Sequence, residues 1–229
     1  VALESNALTT LDKVNGELGF TTGSDTDRDA RIEDYINEVS DLIERGASRR
    51  FYWVTGYTER AVSTGINTIR VTDHLPIDTI NSITFDDGDT SSTVDSDLYE
   101  VAGDEQKDLG IIRRVGAATW QDTRVTEIEV QAHRVPGSAE PLYEVDYDGG
   151  YVTREQADND PSLTRSLPYD LERAAIDYAI MQQSNKGGDK SVQKISMDDG
   201  SITFFKGMRV PRSVPRAIHR YTDGGSGLA

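Results

Sequence analysis

Lys206, Arg209, Arg212, Arg216 and Arg220 put five cations into one short stretch with no carboxylate among them, in a 229-residue chain whose formal net charge is −16. Arginine forks bind carboxylates and carbonyl-rich surfaces in fixed orientation, so the chemistry on offer is recognition of something negative. Val210, Val214 and Ile218 recur at a spacing of four and would add apolar anchors on one side of a helix. Pro211 and Pro215 limit how early that helix begins. A solvated basic end and a nucleic-acid contact are the competing readings of the same residues.

Other residue types give less. His74, His133 and His219 are the only histidines and there is no cysteine, so no pair stands at a zinc-ligand spacing and no thiolate site or disulfide exists. Glu127 with Glu129, or Asp86 with Asp87, are carboxylate pairs of the kind that forty acidic residues produce by chance. Asp86, Asp87 and Asp89 attract a cation in principle, but the run lacks the twelve-residue calcium-loop pattern and its closing Glu. The stretch "NKGGDKS" at 185–191 follows a helical pattern instead of joining a strand to one, so its glycines read as a flexible exit and not a phosphate loop. No catalytic residue, metal site or cofactor is expected.

The acidity is uneven: 26 Asp stand against 14 Glu, and 18 Arg against 6 Lys. Dense carboxylates with scarce lysine suit a cytoplasm in which salt screens charge strongly, as in halophiles. Diffuse negative charge also argues against a surface that wraps duplex DNA. No stretch approaches eighteen apolar residues and no basic start leads into an apolar run, so neither a spanning helix nor a signal peptide is expected.

The periods that must position these residues change along the chain. Leu8, Leu11, Val14 and Leu18 predict a short helix stopped by Gly19, and Ile32, Tyr35, Ile36, Val39, Leu42 and Ile43 a longer one with Asp25, Asp27 and Asp29 at its start. From about residue 51 the period is two. Ile69, Val71, Ile80, Ile83 and Phe85 predict strands, Pro76 and Asp87-Gly88 breaks, and "DLYEVA", "LGIIRRV", "TRVTEIEVQAHRV" and "PLYEVDYD" further strands of a mostly antiparallel sheet. Helical spacing returns in "SLPYDLERAAIDYAIMQQS", and "SVQKISMDDGSITFF" predicts a hairpin around Asp199-Gly200. Arg49, Arg50, Phe51 and Trp53, at the helix-to-strand boundary, are the expected subunit interface.

The succession "LTTLDKVNGELG", "IEDYINEVSDLIERGASRRF", the turn at Gly65, "TIRVTDHLPIDTINSITFDDG", "SDLYEV" and "LPYDLERAAIDYAI" resembles the head-tail connector, or adaptor, proteins of tailed viruses. The acidity adds a haloarchaeal virus as the expected source. Such a resemblance implies a ring, commonly of twelve neighbouring copies, beneath the portal protein. A stopper or tail-completion protein would sit on its opposite face, and genomic DNA would pass through the lumen without specific binding. It implies no enzyme, cofactor or membrane, and a place at the head-tail junction of the virion after assembly in the host cytoplasm. The C-terminal segment would dock the portal through Arg209, Val210, Arg212, Val214, Arg216, Ile218 and Arg220, and the turn from Pro76 to Ile83 would belong to the scaffold. Departures are the acidic insertion after Phe85 and the extended stretch from 110 to 160.

The expected fold class is α+β: a helical core with an inserted, mostly antiparallel β region and a C-terminal docking tail. The expected divisions are N-terminal helices over 1–50, a β-rich region over 51–153, a helix and hairpin over 154–205 completing the helical core, and a basic tail over 206–229. A tail-completion or terminator protein is the alternative within the virion. A carboxylate-based hydrolase is the alternative outside it, and would require a pocket with two carboxylates of opposed pKa shifts.

Overall fold

A computed structural model describes residues 2–61, 67–86, 91–101, 103–116, 119–120, 142–184, 193–197, 200–204 and 210–222. The chain divides into two compact units, one of residues 1–52 with 151–229 and one of residues 53–150. The expected strand "TRVTEIEVQAHRV", the Asp87-Gly88 turn, Asp89, the glycines of 185–191, Lys206 and Arg209 lie outside the described residues.

The first unit is helical. Thr10 accepts the backbone N–H of Lys13 to open α1 (Leu11–Leu18), and Gly19 ends it at φ 72°, a conformation that costs glycine nothing. Asp25 caps α2 (Thr26–Ala47) by accepting the Arg28 backbone N–H, and Ser48 closes it in the left-handed region at φ 54°. Asp29 is held below the usual carboxylate range, first by the Gly23 backbone N–H and then, against some burial, by Asn15 and Arg28. These bonds close the loop between α1 and α2.

Farther along, a reciprocal capping box of Thr153 and Gln156 starts α4 (Arg154–Asn159). The Pro168 carbonyl accepts from Glu172 N–H at the head of α5 (Tyr169–Ser184). Buried Glu172 is clamped by Arg154 Nε at 3.0 Å and Arg165 Nη2 at 2.7 Å, which ties the segment before α5 to the helix itself. Val39, Ile43, Ala47 and Phe51 pack with Leu171, Ala174, Ala175 and Tyr178, while Ile32, Ile36, Val14 and Ile176 form a second cluster. Small alanines on α5 permit close approach of the neighbouring helices. Strands β8 (Gln193–Met197) and β9 (Gly200–Phe204) form the predicted hairpin. Met197 pairs with Gly200, so Gly200 already belongs to the strand, while Asp199 of the expected turn lies outside the described residues.

The second unit holds two antiparallel sheets. One has the order β1 (Val54–Ala61), β7 (Leu142–Gly149), β3 (Ile77–Asp86), β4 (Ser91–Thr93). The other has the order β2 (Thr68–Arg70), β6 (Ile111–Arg114), β5 (Tyr99–Glu100). A 3-10 turn at Ser96–Leu98 precedes β5, and α3 (Asp104–Leu109) links it to β6. Gly110 follows at φ 67°, and a side chain there would run into the Val71 carbonyl. Tyr143, Val145 and Tyr147 point from β7 into a core with Ala61, Ile69, Val71, Ile83, Ile112 and Trp120. Glu144, Asp146 and Asp148 alternate with them on the outer face. The fold is α+β, as the sequence predicts.

The tail carries the helix that its spacing of four suggests, and it begins between the two prolines. Residues Ser213–Tyr221 form α6, a helix of the first unit. Pro215 is its third residue, where a missing N–H removes no intrahelical bond, so the proline is accommodated inside the helix and does not delay it.

Candidate functional site

Two surfaces of opposite sign stand out. On α6, Val214, Ala217 and Ile218 are buried in the helical core with Phe51 and Leu171, and half-buried Val210 packs against the same cluster. Burying each large aliphatic side chain is worth about 2 kcal/mol over leaving it in water, which is why this stripe closes on its own chain. Val214 and Ile218 therefore do not present the apolar anchors expected of a docking tail. What α6 and its N-cap show to solvent is a cationic row: Arg212, Arg216 and Arg220 are exposed, with His219 exposed beside them. Arg216 N–H donates to the Arg212 carbonyl at 3.4 Å, so Arg212, Arg216 and Arg220 stand one helical turn apart in a row.

Arg220 is partly engaged. Its Nη1 lies 3.0 Å from Asp170 Oδ2, while the Tyr221 hydroxyl donates to Asp170 Oδ1 at 3.0 Å. Burial and the Asp170 charge push the Tyr221 phenol well above its ordinary pKa. Among the described residues Arg212 and Arg216 form no ion pair, whereas Arg45, Arg50, Arg154, Arg165 and Arg173 do.

The structure brings part of the expected subunit interface to this helix. The Arg49 guanidinium lies 5.2 Å from the Phe51 ring centre and 5.8 Å from that of Tyr221, and the two rings meet edge to face at 5.5 Å. Phe51 is fully buried, so it serves the core of its own chain and offers no surface to another. Arg50 is exposed and paired with Glu44 at 2.9 Å. Trp53 is half-buried at the start of the second unit. Spacing alone does not disclose that Arg49 and Tyr221 meet, because 172 positions separate them.

The negative surface is the outer face of β7. Asn81 Nδ2, from β3, donates to Asp146 Oδ1 at 3.0 Å and to Asp148 Oδ1 at 2.9 Å, and Gly56 N–H also donates to Asp148 Oδ1 at 2.8 Å. One oxygen of each carboxylate is thus fixed, and neither residue has a cationic partner among the described residues. Glu144, next in the row, takes Arg60 at 3.6 Å. Sequence reasoning missed this row; its signal is the strict alternation of "LYEVDYD", acidic at every second position.

A third polar cluster fastens the sheet unit. Glu59 accepts from Thr72 N–H at 2.7 Å, Thr72 Oγ1 at 3.0 Å, Asp73 N–H at 3.1 Å and the Tyr147 hydroxyl at 2.8 Å. Tyr147 in turn accepts from His74 N–H at 3.1 Å, and Tyr57 bonds Asp73 while its ring packs on His74. Both Glu59 oxygens are committed to holding residues 72–74, so the arrangement is a loop clasp. His74 is buried in that clasp, His219 is exposed on α6, and His133 lies outside the described residues. Among the described residues no three His, Cys, Asp or Glu side chains are grouped to hold a metal ion. No described helix is long and apolar enough to cross a membrane.

Neither a protein-family model nor a curated protein sequence matches this chain. Solved structures do resemble it. A chain in the neck of an empty gene transfer agent particle, computed with C6 symmetry, superimposes with a TM-score of 0.54 at 15% identity, covering 97% of this chain and 92% of that one. A chain in the neck of the native particle, computed with C12 symmetry, gives 0.52 at 16% identity with the same coverage. A chain of the native virion gives 0.50 at 16% identity. At such identities the likeness is one of fold, and it runs nearly from end to end of both chains.

Proposed function

We propose that this chain is a structural head-tail adaptor, a ring of twelve copies between the portal and the stopper or tail proteins of a tailed virus. The observation that carries this reading is the end-to-end likeness to a neck chain in a particle computed with C12 symmetry. A partial match would support only a shared domain. Coverage of 97% and 92% includes both the helical unit and the inserted sheets. The role is architectural, with no chemistry on a substrate. The exposed arginine row of α6 is a contact surface within the assembly, and the net charge of −16 repels a passing genome so that it crosses the lumen without adhering. We attribute the excess of Asp over Glu and of Arg over Lys to a high-salt host, in which repulsion among such copies is screened.

Particles produced without this chain test the role. Heads and tails that accumulate separately, with joining restored when the chain is supplied, are the expected result. Tailed particles of normal yield would overturn it.

A further inference from the structure

We propose that the arginine row of α6 docks onto the carboxylate row of β7 in the neighbouring copy of this chain, forming the head-to-tail contact that closes the ring. The proposal rests on the ring reading above and names the surfaces that join one copy to the next.

Spacing is the first argument. Residues four apart on a helix rise about 6 Å, and residues two apart on a strand rise about 6.7 Å. Arg212, Arg216 and Arg220 therefore repeat at nearly the pitch of Asp148, Asp146 and Glu144, so a helix laid along the strand meets one carboxylate per turn. Availability is the second. Each row has one end already paired within its own chain, Arg220 with Asp170 and Glu144 with Arg60. The remaining members, Arg212 and Arg216 against Asp146 and Asp148, have no ion partner among the described residues.

Preorganisation is the third. The Oδ1 atoms of Asp146 and Asp148 are held by Asn81 and the Gly56 N–H on a strand with neighbours on both sides, and these bonds leave each Oδ2 as an acceptor they do not use. Carboxylates fixed in this way lose little freedom when arginines approach. Charge supplies the fourth. Two chains at −16 repel, so contact between copies needs a local surface of the other sign, and residues 206–220 are a carboxylate-free run of five cations. Ring closure also demands two different faces on each copy, and these rows are two such faces. A matching pitch on this same chain favours a second copy over another protein as the occupant.

The absence of cysteine makes the contact testable by cross-linking. Arg216→Cys and Asp146→Cys are introduced singly and together, and full-length protein assembled on the portal is treated with a short bis-maleimide, whose reach exceeds disulfide geometry. Mixed single variants should give a cross-linked dimer that neither gives alone, and the double variant a ladder ending at the closed ring. Arg212→Glu with Arg216→Glu should lower ring formation at least tenfold at fixed salt, and adding Asp146→Arg with Asp148→Arg should restore it. Asp146→Asn with Asp148→Asn keeps the acceptors for Asn81 while removing the charge, so it should lose ring formation with its circular dichroism unchanged. Rings visible in micrographs without cross-links would overturn the contact alone. Rings that persist in the Glu variant while portal attachment is lost would assign the row to the portal and overturn it as well. Wild-type protein that forms no ring on the portal would overturn the ring reading and this contact with it.

Discussion

Glu44 Oε1 accepts the backbone N–H of Phe51 at 3.0 Å, so the last turn of α2 holds the residue from which the chain leaves the helical unit. Its other oxygen takes Asn6 Nδ2 at 3.0 Å and Arg50 Nη1 at 2.9 Å, and the side chain is buried. Glu44→Ala strands the Phe51 N–H in the interior and takes one of two acceptors from the Asn6 amide, which keeps Asp41 Oδ1 at 3.0 Å. Leaving buried donors unpaired costs about 1–3 kcal/mol each, so the variant should lose about 2–4 kcal/mol in urea unfolding. Glu44→Gln keeps an acceptor and should lose roughly half as much. Equal stability of all three proteins would show that the clasp contributes nothing.

Alkaline pH should weaken the fold through three phenols. Tyr147, Tyr178 and Tyr221 all have pKa values raised mainly by burial and further by the charges of Glu59, Glu38 and Asp170 respectively. A phenol that holds its proton more tightly when folded leaves the unfolded chain to ionise first. The stability it contributes is therefore complete below the ordinary value of 10.0 and declines as pH rises beyond it. Unfolding free energies measured from pH 8 to 11 should be level and then fall, and Tyr221→Phe should flatten the fall. A curve that stays level to pH 11 would contradict the assignment.

Salt should stabilise the single copy. With 26 Asp and 14 Glu against 24 cations, self-repulsion opposes folding at low ionic strength and is screened as salt rises. The melting temperature in KCl should climb by several degrees between about 0.1 M and 2 M, with most of the gain where the Debye length falls from about 10 Å to a few ångströms. A melting temperature that falls across this range would mean that ion pairs such as those of Glu172 outweigh the repulsion.

Much of the helical unit is legible in the sequence because its contacts repeat locally. Ile32, Ile36, Val39 and Ile43 announce one buried stripe, and Asp25 and Gly19 mark helix ends. The sheet order is not legible, since β1 pairs with β7 across more than eighty residues and no local pattern specifies that partner. The burial of the last helix is not legible. Val214, Ala217, Ile218 and Tyr221 have the spacing of a core stripe as much as of a docking face, and only the position of Phe51 and Leu171 decides between them. The arginines are legible as exposed cations, but their carboxylate counterpart on β7 depends on Asn81, which the sheet register alone brings beside Asp146 and Asp148.

Whether twelve copies close into a ring at the head-tail junction is decided by an electron cryomicroscopy reconstruction of the neck of the particle that carries this chain. Twelve copies in a closed ring against the portal, each with its helical unit and its sheet unit in density, are expected. Density for this chain at single, non-equivalent sites, or in any part of the particle other than the portal-tail junction, would contradict such a ring.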